Sequence, residues 1–384
     1  MSVFKQIIES LDVPPTYYEK AVERYKDISE WLTRTESTCR KFSPHIFPQG
    51  SMRLGTSVKP IAKEDEFDLD LSNVFKSGLS KNTHSQGKVV EILRYELELY
   101  RQARGIDKKI EKKHRCLRLE YKDGMSFHID IVPGIPEETG GIEKLEKSMI
   151  THGELMVESA KSLAQSTIAI TDDQDMHYNS ISLDWKISNP EGFAKWVESQ
   201  YTQRIDESLR KSFQIDDIPF YKRKTILQQT IQLLKRHRDV MYINRNKDCK
   251  PISIIITTLA ARAYNGEATI ENAVLNILDK MPSLIKSSTP KISNPVNPQE
   301  DFADKWDKQG NAHLQLERNF RAWIAQANTD IRNILRHEKS GSEELNELCK
   351  SAFESKVNSQ VAPSLAGNIS PVIIPPTAPK PWSK

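Results

Sequence analysis

Cysteine is scarce in this chain of 384 residues: Cys39, Cys116, Cys249 and Cys349 are scattered, with no C-x-x-C pair. Neither a zinc site nor a disulfide framework is suggested, and reduced thiols in a cytosol are the expectation. The segment Met1-Ser2-Val3-Phe4-Lys5-Gln6 lacks a basic region followed by an apolar core, so no secretory signal is read there. No apolar run approaches the ~20 residues that span a bilayer, and the longest candidate, residues 252–261, is too short. A large excess of either charge is missing as well. The net charge of +3 gives no strong basic footprint for long nucleic acid and sits more easily with a small nucleotide substrate. Hydrophobic residues at 38% beside charged residues at 28% describe a soluble globular chain, long enough for one large or two ordinary domains.

The most informative stretch is Gln49-Gly50-Ser51-Met52-Arg53-Leu54-Gly55-Thr56, followed by Phe67-Asp68-Leu69-Asp70-Leu71. The first part is a Gly/Ser turn between apolar runs. The second alternates apolar and acidic residues, which is strand periodicity, so Asp68 and Asp70 share a face. Two such carboxylates repel unless a proton or a cation lies between them, and hard divalent cations take oxygen ligands of this kind. Phe127-His128-Ile129-Asp130-Ile131-Val132 is a second strand pattern with one acid among apolar neighbours. Three acids on adjacent strands, beside a turn that offers backbone N–H groups to phosphate, fit a two-metal nucleotide site. Glu64-Asp65-Glu66 and Thr171-Asp172-Asp173-Gln174-Asp175 read as solvated acidic loops, the second lacking the frame of a calcium loop.

The rest of the chain divides by composition. Residues 3–11 form a short amphipathic start, and Pro14-Pro15 opens a long helix through Tyr18, Ala21, Val22, Tyr25, Ile28 and Leu32. Residues 72–88 read as a polar loop and 89–103 as an amphipathic helix. Two strands then flank the turn Lys122-Asp123-Gly124, and Pro133-Gly134-Ile135-Pro136 ends the second. Residues 137–165 have mixed helical character, and 167–170 suggest another strand. Asn189-Pro190-Glu191 is a helix start. Beyond it, 204–213, 222–242, 252–264, 268–280, 313–336 and 342–355 are helical in pattern. The expected architecture is α+β: a mixed sheet-and-helix lobe over residues 1–185, a helical lobe over 186–355 and a Pro-rich, disordered tail over 356–384.

Gly50-Ser51, Asp68-x-Asp70 and Asp130 together resemble the signature of the polymerase-β-like nucleotidyltransferases. Within that superfamily the chain resembles the bacterial cGAS/DncV-like nucleotidyltransferases of anti-phage signalling (CBASS). The narrower likeness is carried by Asp184-Trp185-Lys186-Ile187-Ser188-Asn189-Pro190-Glu191-Gly192-Phe193, by Leu233-Leu234-Lys235-Arg236-His237-Arg238-Asp239, and by Asn294-Pro295-Val296-Asn297-Pro298 with Phe302-Ala303-Asp304-Lys305-Trp306. The resemblance implies two lobes with the active site in the cleft and a long N-terminal helix bracing both. It implies Mg²⁺ or Mn²⁺ on Asp68, Asp70 and Asp130, and a triphosphate held by Gly50, Ser51, Lys235 and Ser253. Arg53 and Thr56 also come near the nucleotide in this reading, Arg53 being equally a surface charge.

The function so implied is synthesis of a cyclic di- or trinucleotide messenger from NTPs, ATP among them. The resemblance also implies a cytoplasmic setting, a regulatory partner from the same operon and a downstream effector that reads the product. No membrane and no long nucleic acid are required. Conjugated members of the family end in a small residue, which Pro381-Trp382-Ser383-Lys384 does not match. Two other readings stay open: a linear oligonucleotide or RNA-tailing enzyme, and a catalytically silent nucleotide-binding regulator.

Overall fold

The computed structural model describes residues 2–61, 67–121, 127–153, 155–202, 224–338 and 343–357. It opens with helices α1 (Val3–Leu11) and α2 (Pro15–Thr33), strand β1 (Pro44–Pro48) and the single turn α3 (Gly50–Arg53). Strand β2 (Phe67–Phe75), helix α4 (Gln86–Ala103) and strands β3 (Glu111–Lys112), β4 (Leu117–Tyr121) and β5 (Phe127–Pro136) come next. Helices α5 (Thr139–His152) and α6 (Val157–Ala164) lead to strands β6 (Ile168–Ile170) and β7 (Lys186–Ser188), and then to α7 (Pro190–Thr202). The second half runs α8 (Ile226–Met241), α9 (Ser253–Ala263), α10 (Ile270–Lys280), the hairpin β8 (Ser293–Asn294) and β9 (Asn297–Asp301), α11 (Leu316–His337) and α12 (Glu343–Phe353). Helices α8 to α12 answer the five sequence-expected helices from residue 222 onward. The expected helix at 204–213, the acids at 64–66, the turn at 122–124 and the tail beyond 357 lie outside the described residues.

Among the described residues, seven strands join in one mixed sheet, ordered β1-β2-β5-β4-β3, with β6 and β7 continuing from the far end of β5. The central pair, β2 and β5, is parallel and in register from Phe67↔Phe127 to Val74↔Gly134. Leu69, Leu71, Ile129 and Ile131 on these strands are buried on the face that α2 and α4 cover. The opposite face carries the acids. This is the inside/outside alternation of a pleated strand.

Two differences from the sequence reading concern strand length. β2 continues through Phe75, where a loop was expected, because Val74 and Phe75 are fully buried and Ser72 and Asn73 pair with β1. Ser72 is tolerated inside because its hydroxyl donates to Gln49 Oε1 at 2.8 Å, whereas the Asn73 side-chain amide is buried with no hydrogen-bond partner among the described residues. β5 likewise runs through the prolines to Pro136, since β6 pairs with its last three residues. Gly134 is needed there: a Cβ would meet the Ala169 carbonyl oxygen at 2.8 Å. The helix after β2 begins earlier than expected, at Gln86, capped by Ser85 accepting from Lys88 N at 3.3 Å.

Two cores result. One joins α2, α4 and the sheet. The other joins the helices of the second half with α1, α5 and α6, through Phe4, Ile7, Met149 and Leu163 among others. Bracing is therefore split at the N-terminus: α1 packs on α8, while α2 packs on the sheet. The sheet's last strand, β7, reaches Ser188, three residues past the expected lobe boundary at 185.

Candidate active site

The parallel register sets Asp70 beside Asp130 and Asp68 beside His128. The antiparallel partner β4 extends both rows, with Arg118 opposite Asp130 and Glu120 opposite His128. One sheet face thus carries two polar rows, Asp70–Asp130–Arg118 and Asp68–His128–Glu120. Asp68 stands 69% exposed and its Oδ1 lies 3.6 Å from His128 Nδ1. Asp70 is more enclosed. Burial, then the charges of Asp68 and Asp130, push its carboxyl up to about 7 against the pull of Lys235 and Arg118. Arg118 grips Asp130 with two parallel bonds, Nε to Oδ1 and Nη2 to Oδ2, both 2.7 Å.

The Gly/Ser turn packs directly on this row. Gln49 N donates to the Asp70 carbonyl at 2.8 Å, which fixes the start of α3 to β2. Gly50 has φ of +64°, and a Cβ on it would fall 2.2 Å from Asp70 Oδ2. Glycine is required for both the left-handed backbone and the contact. Ser51 Oγ lies 2.9 Å from Ser57 Oγ, and Thr56 N donates to the Ser51 carbonyl at 2.9 Å, closing the loop behind the turn.

Helix α8 supplies the opposing wall. Its start is fixed by a capping box between Thr225 and Gln228, and Gln228 Nε2 also donates to the Leu54 carbonyl at 2.9 Å. Two turns on, Lys235 Nζ donates to the Thr56 carbonyl at 2.8 Å. Burial, then the Arg238 charge, lowers its ammonium to about 7, opposed by Asp239 and Asp70. Ser253, the first residue of α9, accepts from Arg238 Nη1 at 2.8 Å. Gly50, Ser51, Asp68, Asp70, Lys235 and Ser253 all line one cavity of about 1000 Å³. Asp130 stands beside Asp70 in the sheet but is not part of that lining.

Arg53 is not a surface charge, and it does not line this cavity. It is buried and bonded to Glu191 (Nε to Oε2 3.1 Å, Nη2 to Oε1 2.9 Å) and to Glu198 (Nη1 to Oε1 2.6 Å), joining α3 to α7. The acidic loop after β6 is a turn with Asp173 and Gln174 exposed, as expected, but Asp172 and Asp173 are ion-paired. Asp172 and Asp173 meet His114 Nδ1 at 3.1 and 2.9 Å, with Arg115 on Asp172 at 3.0 Å and Lys112 on Asp173 at 3.4 Å. His114, Asp172 and Asp173 bring potential ligand atoms within 4.8 Å of one another, so they too could hold a cation. The sequence reading missed Arg118, Glu120 and His128. Its signal was present: Arg118-x-Glu120 alternates like Asp68-x-Asp70, on the strand that pairs with Asp130.

A mixed sheet with paired acids on its central strands, a Gly/Ser turn against them and a helical second half define a bilobed nucleotidyltransferase of the polymerase-β type. Residues 44–133 match the family model for "Cyclic GMP-AMP synthase DncV-like, nucleotidyltransferase domain". A c-di-GMP synthase of Roseivirga ehrenbergii is 32% identical over 310 residues, 78% of this chain and 71% of that protein. The chain therefore belongs to the DncV-like nucleotidyltransferases. Among solved structures, the Bradyrhizobium diazoefficiens CD-NTase CdnG in complex with GTP superposes with a TM-score of 0.63 at 18% identity, over 91% of this chain and 93% of that one. CdnC of Escherichia coli MS115-1, in its complex with HORMA-deltaN, gives 0.55 at 12% identity, over 91% and 95%. Among the described residues, no helix is long and apolar enough to cross a membrane.

Proposed function

We propose that this protein joins two nucleoside triphosphates into a cyclic dinucleotide messenger, with GTP as one substrate and ATP a candidate second. The supporting observation is that Asp68 and Asp70, with Asp130 beside Asp70 in the sheet, meet the Gly50–Ser51 turn and Lys235, and that the two acids, the turn and the lysine line a cavity of nucleotide size. The relatives' names, a c-di-GMP synthase and a CdnG bound to GTP, favour a dinucleotide containing guanine.

The acids suit divalent metal ions. Their side chains share one sheet face, and burial together with the charges of Asp68 and Asp130 raises the Asp70 carboxyl, a strain that a cation would relieve. Asp68, Asp70 and Asp130 would hold Mg²⁺ or Mn²⁺, which would lower the pKa of the attacking hydroxyl and steady the leaving oxygens. The chain's own groups do the rest. Gly50 and Ser51 bind triphosphate oxygens through backbone N–H groups and the Ser hydroxyl. Lys235, at about 7, takes up its charge as the triphosphate enters. Arg238 orients the Ser253 hydroxyl toward the same phosphates. Asp130 takes the hydroxyl proton once Arg118 yields one of its oxygens.

In this reading residues 1–185 form the catalytic lobe, 186–355 the helical lobe and 356–384 a tail. The setting is an anti-phage (CBASS) system in the cytoplasm, with an effector that reads the product. A regulatory protein partner fits by analogy with the HORMA complex of CdnC.

The test is incubation with all four NTPs and Mg²⁺, then Mn²⁺, followed by phosphatase and mass spectrometry, beside an Asp68→Asn/Asp70→Asn control. A phosphatase-resistant cyclic mass that vanishes in the control is expected. Products that phosphatase shortens would favour linear synthesis, and tight NTP binding without product would favour a silent regulator.

A further inference from the structure

We propose that Glu120 and Lys108 form a guanine-reading subsite at the part of the cavity remote from the Gly50–Ser51 turn. The inference rests on reading this cavity as a nucleotide site and adds the base that the acceptor nucleotide carries.

Glu120 ends the row Asp68–His128–Glu120, two strands from Asp68 on the side away from α3. Strands lie about 4.8 Å apart, so this places it roughly 10 Å from Asp68, close to the length of a nucleoside. It is only 9% exposed, yet it lines the cavity together with His128 and Lys108. Lys108 Nζ donates to its Oε1, and His128 Nε2 stands 3.7 Å from the same oxygen. Among the described residues, Oε2 takes no hydrogen bond. A carboxylate this enclosed is costly to leave half-satisfied. One oxygen is tied to an ammonium, the other takes no hydrogen bond among the described residues, and the side chain lines the cavity.

Guanine complements that pair. Its N1–H and 2-amino group donate side by side to a carboxylate, while its O6 accepts from an ammonium next to it. Adenine inverts both contacts, presenting the N1 lone pair to Glu120 and the 6-amino group to Lys108. Uracil offers one donor and turns its O2 toward the carboxylate. A site that leaves buried polar groups unpaired rejects the wrong ligand strongly. The two triphosphate-bearing nucleotides would then lie on either side of the carboxylates, as an in-line attack requires.

Calorimetry with GTP, ATP and inosine triphosphate, on the full chain and on Glu120→Gln, decides the matter. Turnover of each nucleotide is followed in parallel. Inosine keeps O6 and N1–H but lacks the 2-amino group. Wild-type protein should bind GTP most tightly, then ITP, then ATP. Glu120→Gln should bind GTP roughly 10- to 100-fold more weakly, lose the GTP–ITP difference and leave ATP unchanged. Lys108→Met should weaken GTP and ITP together. Equal binding of GTP and ITP by wild-type protein, which needs no variant to fold, overturns the subsite. So does a guanine preference that survives Glu120→Gln. Discrimination that depends on Glu120 without turnover keeps the subsite and sinks the nucleotidyl-transfer reading; turnover blind to the base in both proteins does the reverse.

Discussion

Gly50 and Asp70 occupy nearly the same space: a Cβ on the glycine would lie 2.2 Å from the carboxylate's Oδ2. The turn proposed to hold phosphate and the acid proposed to hold metal are therefore positioned by one contact. Gly50→Ala should displace Asp70 or unwind the turn, whose φ of +64° alanine also resists. A shift of about 1 Å at reacting groups costs on the order of 10²-fold in rate. Nucleotide turnover should fall by at least that factor, with a lower melting temperature. Unchanged kcat/KM in the alanine variant would disprove the coupling.

Arg118 competes for the oxygens that a metal ion would take. Both of its bonds to Asp130 are 2.7 Å, and the two residues face each other across β4 and β5. Removing the guanidinium frees a carboxylate beside two others. Arg118→Met should therefore bind Mn²⁺ roughly tenfold more tightly without nucleotide, given the worth of charged hydrogen bonds. Titration followed by electron paramagnetic resonance reads this directly. Weaker Mn²⁺ binding would mean that Arg118 orients Asp130 for the metal rather than shielding it.

Local pattern carried much of this in the sequence. Period-two alternation marked Asp68, Asp70 and Asp130, and the helical stripes after residue 222 became α8 to α12. What pattern could not supply was register. Only the parallel pairing of β2 with β5, and of β4 beyond it, shows that Arg118 faces Asp130 and Glu120 faces His128. The extent of β2 was hidden because Ser72 and Asn73 look like loop residues until Gln49 and β1 are there to pair with them. Arg53 looked like a surface charge because its partners, Glu191 and Glu198, are more than a hundred residues away.

That Arg53 cluster is a stability element linking the motif helix to α7. Glu191 is 4% exposed at its side chain, so its charge relies on the guanidinium. Breaking a buried pair by removing one partner typically costs ~3–5 kcal/mol, because the other charge is left without compensation. Arg53→Met should lose about that much in urea unfolding. Adding Glu191→Gln and Glu198→Gln should restore a good part of it. A single variant as stable as wild type would show that water reaches these carboxylates.

Asp70 and Lys235 predict an unusual pH profile for the metal-free protein. The folded chain holds the Asp70 proton up to about 7, whereas an unfolded aspartate loses it near 4. Its contribution to stability is thus complete below about pH 4 and is lost as pH rises toward 7. Lys235 has the opposite sense. It gives up its proton near 7 when folded and near 10.4 when unfolded. Its cost is full below about pH 7 and fades as pH climbs toward 10. The two effects place the pair's weakest point near neutrality. Melting temperatures in EDTA at pH 5, 7 and 9 test this through differences. Wild type should lose ground against Asp70→Asn between pH 5 and 7, and should gain on Lys235→Met between 7 and 9. Divalent ions compete with the Asp70 proton, so saturating Mg²⁺ with a non-hydrolysable NTP should erase the dip. A dip that persists with both bound would mean that neither group meets the ligand, and the triphosphate would have to lie elsewhere in the cavity.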